Sequence, residues 1–158
     1  MDTQIRHLFI LSSTLSSDEI RAAHILNIIL LSTIILNPLY CLILIFALQN
    51  PTPPLMANAF LFAIQLISFI RLKQGQVSSA VLIDVTGTWL YFSFMIFIFG
   101  GSQSPGIVGY FLIVLLAGLL ISSRAAYFYA ALSAIFSFAV FTLEIRGLLP
   151  PSLIALNP

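Results

Sequence analysis

One acidic residue, Asp84, stands inside the otherwise apolar stretch Val77–Phe99, with no basic neighbour in sequence. A carboxyl group at membrane depth is costly and is expected to face the interior of a helix bundle. On a helix, Thr88 and Tyr91 share its face at i+4 and i+7, and Gly87 opens space beside it. Two chemistries fit this pattern. One is a proton-sensitive switch or ligand contact, with His24 and Asn27 as candidate partners from the start of the first apolar stretch. The other is a protonated, hydrogen-bonded residue that packs helices together.

The elements that must position Asp84 are read from hydropathy. Hydrophobic residues make up 60% of the 158 and charged residues 7%, against about 25% charged in a soluble domain. Mean hydropathy is +1.11. Five apolar stretches run Ala22–Leu48, Leu55–Ile70, Val77–Phe99, Pro105–Ile121 and Ala125–Leu143. A helix needs about 20 mostly apolar residues to cross the hydrocarbon. Backbone groups there must be satisfied within the chain, which favours helices. The predicted fold is an all-α, polytopic transmembrane bundle of five helices, or the first five of six.

Three regions follow. Residues 1–16 form a cytoplasmic N-terminal segment, amphipathic or disordered. Residues 17–147 form the transmembrane helical domain, and 148–158 an external tail or loop. Ser16 and Glu19 offer a capping box for the first helix, which carries a kink signal at Asn37-Pro38. Arg6, Arg21, Arg71, Lys73 and Arg124 fall on one side of this topology and Arg146 on the other. The positive-inside rule then puts the N-terminus in the cytoplasm of a multi-pass protein of the bacterial cytoplasmic membrane.

Other chemistry is sparse. Phosphate loops, serine elbows, HExxH sequences and cysteine pairs do not occur, so no catalytic residue is assigned and the covered chain reads as a non-enzyme. A lone cysteine, Cys41, and two histidines, His7 and His24, yield no metal site. No basic run suits nucleic acid. Ala126, Ala130 and Ala134, followed by Ser137, form a small-residue stripe that predicts close helix packing.

The loop Gly100-Gly101-Ser102-Gln103-Ser104-Pro105, the following apolar helix, Ser123-Arg124-Ala125-Ala126, and Glu144-Ile145-Arg146-Gly147-Leu148-Leu149-Pro150 appear in that order. Over roughly residues 85–150 this resembles the membrane-spanning N-terminal input region of bacterial sensor histidine kinases. It is distantly similar to the RegB type, whose GGxxNPF loop is associated with quinone. Gly100, Gly101 and Pro105 match that loop. Ser104 stands in place of its asparagine and Gly106 in place of its phenylalanine. The resemblance implies six helices, a quinone-type ligand at this loop, and a kinase output domain beyond residue 158. The chain is then a piece of a longer protein.

The leading expectation is an integral-membrane sensory or input domain of a signal-transduction protein, without catalysis of its own. Membrane lipid and a homodimer partner or other membrane subunits are its expected contacts. The alternative is a small accessory subunit of a larger membrane complex, energy-transducing or pigment-binding. A transporter with Asp84 as coupling site is a third reading, disfavoured because no inverted repeat is present.

Overall fold

The computed structural model describes residues 17–48, 50–98, 101, 104 and 106–149. The 1–16 segment, Ser16 of the capping box, Gly100, Pro105 and the tail from Pro150 onward lie outside the described residues. Among the described residues five helices follow one another: α1 (Ser17–Ala47), α2 (Thr52–Lys73), α3 (Val77–Ile98), α4 (Gly106–Leu120) and α5 (Ser123–Ile145). The architecture is an all-α bundle, as hydropathy predicts.

Turn chemistry sets the helix ends. Asp18 and Glu19 stand in the first turn of α1, where negative charge suits the positive end of the helix dipole. Proline occupies the first turn of α2, where its missing N–H costs nothing. Arg71 and Lys73 stand in the last turn of α2. Gly75 then takes φ +80°, and the Gln76 N–H donates to the Arg71 carbonyl at 3.1 Å. This glycine-centred cap turns the chain straight into α3. Ser122 caps α5, its hydroxyl accepting from the Ala125 N–H at 3.2 Å. Pro38 lies within α1, which continues through it to Ala47.

Four helices are long and apolar enough to span a membrane, so the chain is a multi-pass membrane protein. The exception is α4. The sequence marks Pro105–Ile121 as a span, but α4 has 15 residues, or about 22 Å at 1.5 Å per residue. That falls short of the hydrocarbon thickness of about 30 Å.

The centre of the bundle is α3. Half of its apolar window is buried, against 17% for α1, 22% for α2 and 17% for α5. The helix packs on α2 most extensively, then on α4, with α1 alongside. Val81, Val85 and Ile96 of α3 join Leu26 and Leu30 of α1, Ile113 and Ala117 of α4, and Val140 of α5 in one core. The outer faces of α1 and α5 remain apolar and exposed, including Ile35, Phe46, Ile135 and Phe138. Such faces suit lipid, where an apolar side chain needs no cover.

Candidate functional site

Two polar seams run along α3. The first faces α4 and α5 through Thr86, Trp89 and Ser93. The Thr86 and Tyr129 hydroxyls are 2.7 Å apart. Trp89 Nε1 donates to Ser133 Oγ at 3.1 Å. Ser93 Oγ lies 2.8 Å from the Tyr110 hydroxyl and donates to the Trp89 carbonyl at 2.9 Å. Aromatic rings close around these bonds. Trp89 stacks on Tyr110 at 6.2 Å and meets Phe136 edge-on at 5.7 Å. Gly109 of α4 presses on Phe92 here, with an added Cβ falling 2.5 Å from its Cε1.

The second seam faces α2 through Ala80, Asp84, Gly87 and Tyr91, and it is stitched at both ends. The Ser68 hydroxyl donates to the Ala80 carbonyl at 2.8 Å. At the other end the Tyr91 hydroxyl donates to Asn58 Oδ1 at 3.2 Å, and Asn58 Nδ2 donates to the Pro54 carbonyl at 3.0 Å. Between these ends the antiparallel register puts Gln65, three residues before Ser68, level with Asp84, four residues after Ala80. Asp84 is 2% exposed and Gln65 5% exposed. Asp84 makes no hydrogen bond or ion pair with any described residue. Gln65 Oε1 is buried with no hydrogen-bond donor. Most buried polar groups are satisfied; among the described residues this stretch and Asn27 of α1 are the exceptions.

Gly87 serves this seam in a different way from the one its sequence suggests. The space beside it is filled by Ile64, whose Cδ1 lies 2.8 Å from where a Cβ would stand. The glycine lets α2 and α3 approach closely and leaves no void.

The other residues marked by sequence spread apart. Tyr91 is buried on the α2 seam, bonded to Asn58 and not to Asp84. Thr88 is half-buried. His24 is exposed on α1, so it does not join the buried Asp84. Asn27, half-buried on α1, has its Oδ1 buried without a donor. No group of three or more His, Cys, Asp or Glu gathers as a metal site among the described residues.

In the α3–α4 loop, Gly101 takes φ +98° and its N–H donates to the Ile96 carbonyl at 2.9 Å. A Cβ there would stand 2.8 Å from Glu144 Oε2. Buried Ser104 accepts from the Gly106 N–H at 3.1 Å through its hydroxyl. These two loop residues close α3 and open α4. The alanine stripe meets α4 at one end only: a Cβ on Gly118 would touch Ala126 Cβ at 3.4 Å. Further along, Ala130 and Ala134 border an apolar groove of about 450 Å³ shared with Tyr110, Phe111 and Val114.

Gln65 was not marked by sequence, although a signal existed. Asn58, Gln65 and Ser68 are the polar residues inside an apolar run, spaced i, i+7 and i+10 on one helical face. No protein-family model, curated protein or solved structure matches the chain.

Proposed function

We propose that this chain is the membrane input region of a bacterial signal-transduction protein of the histidine kinase type, without catalysis of its own. It sits in the cytoplasmic membrane with its N-terminus inside. The observation that carries this reading is the contrast between the two seams of α3. One seam is fully hydrogen-bonded, and the other holds two buried polar groups without partners in mid-membrane. A signalling bundle needs two packings separated by a few kcal/mol. A seam with unspent hydrogen-bonding capacity can supply the second packing.

Charge supports the orientation. The start of α1, the start of α3 and the end of α4 share one end of the bundle, where Asp18, Ala22, Val77 and Leu120 line a common opening. Arg21, Arg71, Lys73 and Arg124 belong to that end and Arg146 to the other, the bias expected of a cytoplasmic face.

The test is the reading frame downstream of Pro158. Continuation into another apolar helix and a dimerisation helix supports an input region. A stop codon, with co-purification in a larger membrane complex, overturns it in favour of an accessory subunit. The open α4–α5 groove of about 450 Å³ favours that second reading, because a partner helix, a lipid tail or a pigment could fill it.

A further inference from the structure

We propose that Asp84 and Gln65 form a proton-operated bond across the α2–α3 seam. The acid form of Asp84 donates its hydroxyl hydrogen to Gln65 Oε1; loss of that proton removes the donor and leaves a buried carboxylate, which the Gln65 amide meets only by turning its Nε2 toward it. The inference deepens the input-region reading by naming its stimulus, and it rests on that reading only for what the bond controls.

The argument starts from what the site lacks. A carboxylate oxygen and an amide oxygen are both acceptors. Gln65 Oε1 has no donor, and Asp84 has no partner among the described residues. The missing component is therefore a donor or a positive charge. No cationic side chain stands beside Asp84 among the described residues to supply that charge. On α2, no ionisable residue lies between Thr52 and Ile70. On α1 the nearest is His24, which is exposed, and the next is Tyr40. Tyr110 of α4 and Tyr129 of α5 bond to Ser93 and Thr86, on the other seam. All lysines and arginines among the described residues stand at helix ends.

A metal ion fits poorly. Hard divalent cations take six or more oxygen ligands, and this site offers one carboxyl and one amide oxygen. Ile64 fills the space beside Gly87, one turn along from Asp84, so the seam is too tight for a hydrated ion. A proton needs no room. It supplies the missing donor and removes the uncompensated charge in one step. The released proton passes to water. Val81 and Leu82, within one turn of Asp84, line the opening of about 310 Å³ whose mouth carries Asp18 and Glu19.

The test uses the full chain in phosphatidylcholine vesicles, followed by thermal unfolding and by the infrared band of protonated carboxylic acid. The acid form is the bonded one, so the unfolding midpoint should fall as pH rises. In Asp84→Asn the part of this slope owed to the seam should vanish. The variant should hold near the acid value, because the asparagine amide can donate to Gln65 Oε1 at any pH. In Gln65→Leu the carboxylic acid band should move to the position of a free acid, a change that altered packing alone would not cause. An Asp84→Asn slope equal to wild type would overturn the bond. So would an acid band indifferent to Gln65→Leu, or a midpoint that follows sodium at fixed pH. Failure of these measurements leaves the reading-frame test of the input region intact. Their success beside a stop codon after Pro158 would assign the proton bond to a complex subunit instead.

Discussion

The two seams of α3 are built from the same helix, yet they are finished differently. Toward α4 and α5, Thr86, Trp89 and Ser93 each find a side-chain partner on a neighbouring helix. Toward α2, the bonds stand at Ser68–Ala80 and Tyr91–Asn58 while Asp84 and Gln65 between them have none. Interhelical hydrogen bonds in lipid average only about 0.6 kcal/mol, so the bonds themselves do not decide stability. The difference lies in how many alternatives each seam has. Tyr110, Trp89 and Phe136 interlock with ring separations of 5.7–6.3 Å, and close-packed rings have few other arrangements. The α2 seam is closed by small residues and flexible polar chains, which can rearrange without opening a cavity.

The largest effect should come from breaking the interlocked side. Trp89→Ala removes a ring stacked on Tyr110 and the donor to Ser133. Truncation of a large buried aromatic costs about 3–5 kcal/mol, and half-burial of Trp89 puts the expected loss at the lower end. Thermal unfolding in detergent reads it. A loss below about 1 kcal/mol would mean that the rings merely touch, and the contrast between the seams would fail.

Gly109→Leu attacks the same side by overfilling it. The new side chain would enter the Phe92 ring, and overpacking of this kind costs about 1–3 kcal/mol. Gly87→Ala on the α2 side drives a single methyl against Cγ2 and Cδ1 of Ile64, a smaller addition than leucine at Gly109, so it should cost less. The reverse order would make the α2 seam the rigid one.

The fold was legible because hydropathy states the solvent and lipid demands helices. Gly75, Gly147 and Ser122 end or cap helices through local chemistry, which sequence carries directly. The shortness of α4 was less legible, since the apolar run Pro105–Ile121 does not itself show where the helix ends. Asp84 stood out because it is charged. Gln65 did not, because a lone amide has no such contrast, and its role depends on the register between two helices. His24 looked like a partner on depth alone, but rotation about the α1 axis turns it outward. Depth is readable from position along a span. The direction a residue faces becomes readable only when the neighbouring helix is known.

A double-mutant cycle sharpens the comparison at smaller scale. Thr86→Val and Tyr129→Phe each remove one hydroxyl from the α3–α5 bond. The expected coupling is about 0.6 kcal/mol, with about 1.7 as the upper end seen for such pairs. Zero coupling would mean that these hydroxyls find other partners when one is lost. The interlocked side would then owe its order to ring packing alone.

Effects along the alanine stripe of α5 should fall from Ala126 to the smallest at Ala134, and their order tests whether the hydrogen-bonded side is also the tightly packed side. Ala126 sits against Gly118 of α4, so Ala126→Leu must push two backbones apart. It should cost the most of the three, within the overpacking range of about 1–3 kcal/mol. Ala130 is half-buried on the rim of the groove, and a leucine there can lean into open space. Ala134 is exposed in the same groove, so Ala134→Leu should change stability by less than about 0.5 kcal/mol. Sequence alone treats the stripe as one uniform contact and expects Ala130→Leu to be costly, with Ala139 tolerant. The structure replaces that with a gradient, because Ala126 lies against Gly118 while Ala130 and Ala134 border the groove. Midpoints of thermal unfolding for the three leucine variants, set beside Ala139→Leu on the exposed face, measure it. Equal costs at Ala126 and Ala134 would mean that the groove is filled in the membrane, and that α5 is held along its whole length as firmly as α3.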